Sequence, residues 1–388
     1  MKNKEVVYDG YIEGYYGRLF NWNDRHRIID KLNSNKMNFY FYAPKEDDKH
    51  RLNWKHEYNN DWKSNFLKFL KYSKLKNVNL IVGISPGLDF NFKEFSNWHI
   101  NSLTTKDLDI LIKKISFFIN IGVDNIALLF DDLPNNFCEN FGHNISEGET
   151  HAQLINSISN HFKKPIFCVP RIYANELIYE SKNYLIDFGN TINKQNITFF
   201  CGEYIVSKIF DTKSIKKIQN IIKTKIIIWD NYYSNDYCPR RLFVGPLTGR
   251  KNIVNIMTNP TGLIETDLLI LDVVTLTKNS NSPKIEWTKI LKNYGVPIEF
   301  FKISNFFLKP DFSDSSKFTT FQVDEKIFEY LDCLLWKWKS PLSREWYPYI
   351  LGLKHDLQIL QNKFTKERII KTQTKLLAEY IINKKGEV

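Results

Sequence analysis

Eight short, almost unbroken apolar runs punctuate the first 260 residues of this 388-residue chain, at 5–11, 38–42, 78–84, 126–130, 166–169, 197–201, 225–229 and 254–258. A strand with one wet face alternates apolar and polar residues, whereas a parallel strand covered on both faces reads as a continuous apolar run. Amphipathic stretches of helical length lie between the runs. In 61–76, Phe66, Leu67, Phe69, Leu70 and Tyr72 share one side, and in 105–121 Leu108, Leu111, Ile112, Ile115 and Phe118 do the same. Strand then helix, eight times over, predicts an α/β chain folded as a (β/α)8 TIM-type barrel. An open doubly wound sheet is the alternative, but no GxGxxG or GxxxxGK[ST] loop accompanies it.

Barrels of this kind carry their chemistry at the C-terminal ends of the strands. The successive runs lead into Glu13-Gly14, Ala43-Pro44-Lys45, Ser85-Pro86-Gly87 and Asp131-Asp132, then Pro170-Arg171-Ile172-Tyr173, Gly202-Glu203, Trp229-Asp230-Asn231 and Asn259-Pro260. Polar and aromatic groups thus gather at one rim. After Thr277 the pattern changes. We expect a barrel over 1–277, a linker at 278–283 and a smaller helical domain over 284–388. In that domain Ile350, Leu353, Leu357, Leu360 and Phe364 follow a 3-4-3-4 spacing, so one apolar face packs on the barrel or on a second subunit as a homodimer. The aromatics Trp336, Trp338, Trp346, Tyr347 and Tyr349 are expected in its core.

Asp131-Asp132, directly behind an apolar run, is the most informative pair. Neighbouring side chains on a strand point to opposite faces, so two adjacent acids share a site only where the strand ends and turns. Leu133-Pro134 follows, and proline ends ladder pairing. Two close carboxylates push their pKa values apart, leaving one charged and one able to carry a proton. Glycosidic cleavage needs that division: one group stabilises positive charge, the other protonates the leaving oxygen. An Asp-Asp pair in an arbitrary loop otherwise caps a helix or binds a cation, and the end of a barrel strand is what favours catalysis here.

The charge balance argues against other classes. Lys and Arg outnumber Asp and Glu by 54 to 43, but the excess is scattered rather than drawn into a stripe or tail, which argues against nucleic acid as a partner. Cys138, Cys168, Cys201, Cys238 and Cys333 form no CxxC pair, and the histidines show no HExxH spacing, so neither a disulfide framework nor a metal or other cofactor is expected. No apolar run reaches the ~20 residues of a membrane span, and the N-terminus has no apolar signal core, so no membrane partner is expected and the cytoplasm is the expected location.

Tyr11-Ile12-Glu13-Gly14-Tyr15-Tyr16-Gly17-Arg18 resembles the opening motif of glycoside hydrolase family 84, which contains the O-GlcNAcases and bacterial β-N-acetylglucosaminidases. The resemblance continues in order through Tyr42-Ala43-Pro44-Lys45, Lys49-His50-Arg51, Ile84-Ser85-Pro86-Gly87-Leu88-Asp89, Ala127-Leu128-Leu129-Phe130-Asp131-Asp132 and His151-Ala152-Gln153. It runs on through Val206-Ser207-Lys208, Trp229-Asp230-Asn231, Asn235-Asp236-Tyr237, Arg241 to Leu247, and Thr258-Asn259-Pro260. It spans residues 8–265. It implies retaining, substrate-assisted cleavage, in which the sugar's 2-acetamido oxygen attacks the anomeric carbon to give an oxazoline. By match to the motifs, Asp131 would orient the acetamido N–H and Asp132 would be general acid, then general base. Gly14 through its carbonyl, Lys45, Asp236 and Asn259 would hold sugar hydroxyls. Asn231 would support the acetamido group and Asp131, while Tyr173 and Trp229 would wall its pocket. On residue type alone, Gly14 also reads as a turn, Lys45 as a surface lysine, Asp236 and Asn259 as loop caps, and Trp229 as barrel core. Arg171-Ile172 departs from the Thr-Glu of the family pattern, Leu19-Phe20 from its Pro-Trp, and Glu46 from a common Asp.

These readings converge on an exo-acting β-N-acetylglucosaminidase, with O-GlcNAc on protein or peptide Ser and Thr among the expected substrates. The alternatives are an endo-acting, hyaluronidase-like glycosidase and a non-catalytic glycan-binding module, against which the intact acid pair argues.

Overall fold

A computed structural model describes residues 6–93, 95, 105–142, 145–308 and 324–361. Eight parallel strands close into a barrel in sequence order: β1 (Asp9–Glu13), β2 (Phe39–Tyr42), β3 (Asn79–Ile84), β4 (Asn125–Leu129), β5 (Phe167–Val169), β6 (Ile197–Phe200), β7 (Lys225–Asp230) and β8 (Ile256–Thr258). Closure comes from β1 against β8, with Asp9 opposite Ile256 and Tyr11 opposite Thr258. Gly10 allows β2 to approach β1, because a Cβ there would lie 1.9 Å from the Phe39 carbonyl oxygen.

The outer helices are α1 (Trp22–Ser34), α2 (Asn60–Leu75), α3 (Lys106–Asn120), α4 (Glu147–Phe162), α5 (Tyr184–Thr191), α6 (Thr212–Ile222) and α7 (Ile264–Thr277). Local chemistry starts most of them. Asn21, Asn59, Thr105, Ser146 and Asp211 each accept a backbone N–H of the first turn, filling donors that a helix leaves unpaired.

The expectation of a helix after every strand is corrected at β7. Residues 231–255 form a long connection without one, broken by Pro239, Gly245, Pro246 and Gly249. Buried Arg250 fixes this loop. Its guanidinium is bidentate to Asp230 at 2.8 and 2.9 Å and also donates to the carbonyls of Ser207, Lys208 and Thr248.

Period-2 alternation divides the strand residues. Ile12, Phe41, Ile81, Ala127, Leu129, Val169, Phe199, Ile227, Trp229 and Met257 fill the barrel interior, and their neighbours face the helices. The first strand is displaced from the expected 5–11, and Glu5 lies outside the described residues. Glu13 is therefore not a rim residue. It is buried in β1, bidentate to Arg25 at 2.8 and 2.9 Å, and accepts the Tyr40 hydroxyl.

Beyond α7, Ser282 precedes α8 (Pro283–Asn293), followed by α9 (Ile298–Ile303), α10 (Lys326–Asp332) and α11 (Pro341–Leu360). Trp338, Trp346 and Tyr349 are buried, whereas Trp336 and Tyr347 are exposed, which corrects the expectation that all five aromatics are core. Helix α11 packs on the barrel: Glu345 accepts the N–H groups of Glu265 and Thr266 at the start of α7, and Trp346 donates to Thr266. Phe364 lies outside the described residues. No helix among the described residues is long and apolar enough to cross a membrane.

Candidate active site

A cavity of about 1280 Å3 opens at the C-terminal end of the barrel, and Gly14, Lys45, Asp131, Asp132, Tyr173, Trp229, Asn231, Asp236 and Asn259 all line it. The strands explain much of this convergence. Gly14, Lys45, Asp131, Asn231 and Asn259 each lie two residues beyond an interior residue: Ile12, Ala43, Leu129, Trp229 and Met257. Each is the next inward position of its strand, carried just past the ladder. Tyr173 and Asp236 arrive on the loops after β5 and β7.

The two acids meet different partners. Asp131 is buried and pairs through Oδ2 with the Lys45 ammonium, whose side chain is equally withdrawn from solvent. Its Oδ1 is buried without a hydrogen-bond partner. A buried acceptor left unpaired costs about 1–3 kcal/mol, so this oxygen is poised for a donor from outside the protein. Asp132 leaves the alternation, because its φ of +54° turns its carboxylate back toward the cavity. There Oδ1 accepts the Tyr173 hydroxyl at 2.8 Å and Oδ2 accepts the Tyr16 hydroxyl at 2.9 Å. Burial, then the charge of Asp132, pushes both phenols well above the ordinary tyrosine range, so they remain donors.

A second cluster lies across the cavity. Asn231 Oδ1 accepts from Trp229 Nε1 at 2.8 Å and from Asn259 Nδ2 at 2.9 Å, and Asn231 Nδ2 donates to the Ile205 carbonyl. Asn259 Oδ1 in turn accepts the Gly14 N–H at 3.1 Å. Glycine is required at 14 for a packing reason, since a Cβ would lie 2.4 Å from the Trp229 ring. Asp236, half-buried, accepts the backbone N–H groups of Tyr16 and Tyr237, both at 3.0 Å.

Sequence reasoning missed Tyr16, Cys201, Tyr204, Ile205 and Tyr237, which also line the cavity. Cys201 was recoverable, being the inward position after Phe199 on β6. Burial, then Asp230, raises its thiol well above the ordinary range, so it adds no thiolate nucleophile to the site. Tyr16 sat within the quoted opening motif, but its partner comes from 116 residues away. Among the described residues, no group of three or more His, Cys, Asp or Glu side chains converges to hold a metal ion.

The family model described as beta-N-acetylglucosaminidase matches residues 9–271. The protein O-GlcNAcases of Rattus norvegicus and Mus musculus are 30% and 29% identical to this chain over 285 residues, covering 70% of it. The chain spans only 30% of the length of either relative. Among solved structures, a mutant O-GlcNAc hydrolase of Thermobaculum terrenum superposes with a TM-score of 0.69 at 22% identity, covering 97% of this chain and 89% of that one, a likeness of fold. The barrel, and the match of one family's model to nearly all of it, show that the chain belongs to the beta-N-acetylglucosaminidase family.

Proposed function

We propose that the chain is a retaining exo-β-N-acetylglucosaminidase working by substrate-assisted catalysis. The observation that carries this reading is the unpartnered, buried Oδ1 of Asp131 on a cavity that also holds Asp132 in a separate environment. A 2-acetamido N–H donated to Asp131 Oδ1 satisfies that acceptor and turns the acetamido oxygen toward the anomeric carbon. As that oxygen attacks, the glycosidic bond breaks and the leaving oxygen takes a proton from Asp132, giving an oxazoline. Water, deprotonated by the same carboxylate, then reopens the ring. The Asp131 carboxylate stabilises the positive charge that spreads over the oxazoline. Gly14, Lys45, Asp236 and Asn259 bind sugar hydroxyls on this reading, and Asn231, Tyr173 and Trp229 enclose the acetamido group. The scheme uses no metal or cofactor. Protein-borne O-GlcNAc as a substrate, which the names of the rat and mouse relatives suggest, and a cytoplasmic setting belong to the same proposal.

Hydrolysis of an aryl β-N-acetylglucosaminide followed by proton NMR tests it. Two inversions at one carbon should release the β anomer first. Absence of turnover, or an α anomer formed first, overturns the reading.

A further inference from the structure

The left-handed turn at Asp132 has a dedicated support. Phe130 still bonds to the β5 side of the barrel, its N–H donating to the Val169 carbonyl at 2.9 Å, and Asp131 keeps the inward alternation. One more extended residue would send the Asp132 carboxylate away from the cavity. The φ of +54° returns it, in the left-handed region that aspartate tolerates better than most residues with a Cβ, though still at a cost that a neighbouring support offsets.

Arg51, from the loop after β2, supplies that support. Its side chain is buried, and Nη1 donates to the Asp131 carbonyl at 3.1 Å while Nη2 donates to the Asp132 carbonyl at 2.8 Å. Nη1 also reaches Ser85 Oγ at 3.3 Å, which ties the guanidinium to the end of β3. The fork grips two successive carbonyl oxygens and therefore fixes, relative to each other, the two peptide planes that flank the Asp132 Cα. A planar guanidinium bridges such a pair with two donors at a fixed angle, whereas a lysine ammonium, whose donors rotate about one nitrogen, does not set that angle.

We infer that Arg51 is a positioning residue for proton transfer, holding the Asp131–Asp132 turn so that the Asp132 carboxylate faces the glycosidic oxygen. The inference rests on the catalytic roles proposed above. It differs from a purely structural role because it singles out one chemical step. A displaced Asp132 fails substrates whose leaving group needs a proton and spares those whose leaving group departs unaided. Asp131 is held separately by Lys45, so nucleophile orientation should survive.

The test compares kcat/KM of wild type, Arg51→Lys and Arg51→Gln on a dinitrophenyl and on an alkyl β-N-acetylglucosaminide, with thermal melting as a check on folding. Both variants should lose on the order of 100-fold on the alkyl substrate, the lower end of what general acid catalysis contributes. Both should lose only a few-fold on the activated aryl one. Azide should speed turnover of the activated substrate by both variants, by replacing the water that a displaced Asp132 no longer activates. Equal losses on the two substrates would overturn the inference. So would full activity of Arg51→Lys, which would make the charge rather than the fork responsible. Failure of both variants to fold would place Arg51 in the fold instead. Wild type inactive on both substrates would instead sink the proposed enzyme class, an outcome read before any variant is compared.

Discussion

At the scale of single residues, Asp131 meets an ammonium and Asp132 meets two phenols, so deleting one carboxylate is not equivalent to deleting the other. Asp132→Asn removes a proton donor, and the penalty should grow with the pKa of the leaving group. It should be small on dinitrophenyl glycosides and on the order of 100- to 10,000-fold on alkyl or peptide-linked ones. Asp131→Asn disturbs the nucleophile that every substrate shares, so its loss should be similar for all leaving groups. A plot of log kcat/KM against leaving-group pKa, made on both variants, separates them because kcat/KM reports the bond-breaking step. Parallel plots would undo the division of roles. The acid pair was legible because adjacency is a property of sequence. Its surroundings were less so: the phenols of Tyr16 and Tyr173 come from loops after β1 and β5, and no local pattern announces which carboxylate they will meet.

At the scale of elements, α7 shows how far sequence and structure agree. Its apolar run was legible, but no side chain of its own caps it, and Glu345 of α11 supplies that function from 80 residues on. Its first turn also carries Asp267, fully buried, which accepts the Tyr11 hydroxyl at 2.7 Å, both donors of Thr261 and the Gly262 N–H. Burial outweighs these bonds and pushes its carboxyl up to about 7 from 3.8. The folded state therefore holds a proton that the unfolded chain has already released across that interval. The contribution of this carboxyl to stability must then fall as pH rises from about 4 to about 7 and level off above. Asp267→Asn carries no such proton, so the melting-temperature difference between variant and wild type should change with pH across that window and be flat above it. A difference independent of pH would refute the assignment. The strands were the most legible elements, because burial on both faces writes itself as apolar runs. The misplaced end of β1 has a physical cause: Glu13 reads as a rim carboxylate, and Arg25, one turn into α1, together with the Tyr40 hydroxyl makes it a core residue. The missing helix after β7 went unread because the eightfold repeat was extended across proline and glycine.

At the scale of the whole molecule, the C-terminal helices are tied to the rim of the cavity. The Tyr349 hydroxyl on α11 accepts from Arg18 and from Asn235, both at 3.0 Å, and Arg18 also bonds Asn235 Oδ1 at 2.8 Å and the Thr261 carbonyl. These residues flank Tyr16, Asp236 and Asn259. The expected split into a barrel over 1–277 and a separate helical domain over 284–388 is thus, as we propose, a division of sequence more than of function. Tyr349→Phe should raise KM several-fold with little change in kcat, and should lower stability by about 1 kcal/mol, the usual cost of stranding partly buried donors. Steady-state kinetics and a thermal melt check it, and an unchanged KM would detach α11 from the site. The inward positions described for Gly14, Lys45, Asp131, Asn231 and Asn259 carry a further consequence for how such a chain can change. Their aim is set by parity along the strands, so deleting or inserting a single amino acid in β1, β2, β4, β7 or β8 would rotate a cavity residue into the helical layer and a core residue into its place. A substitution leaves that aim intact, whereas a change of length does not, so length polymorphism is confined to the loops beyond these strands, where new specificities must accumulate.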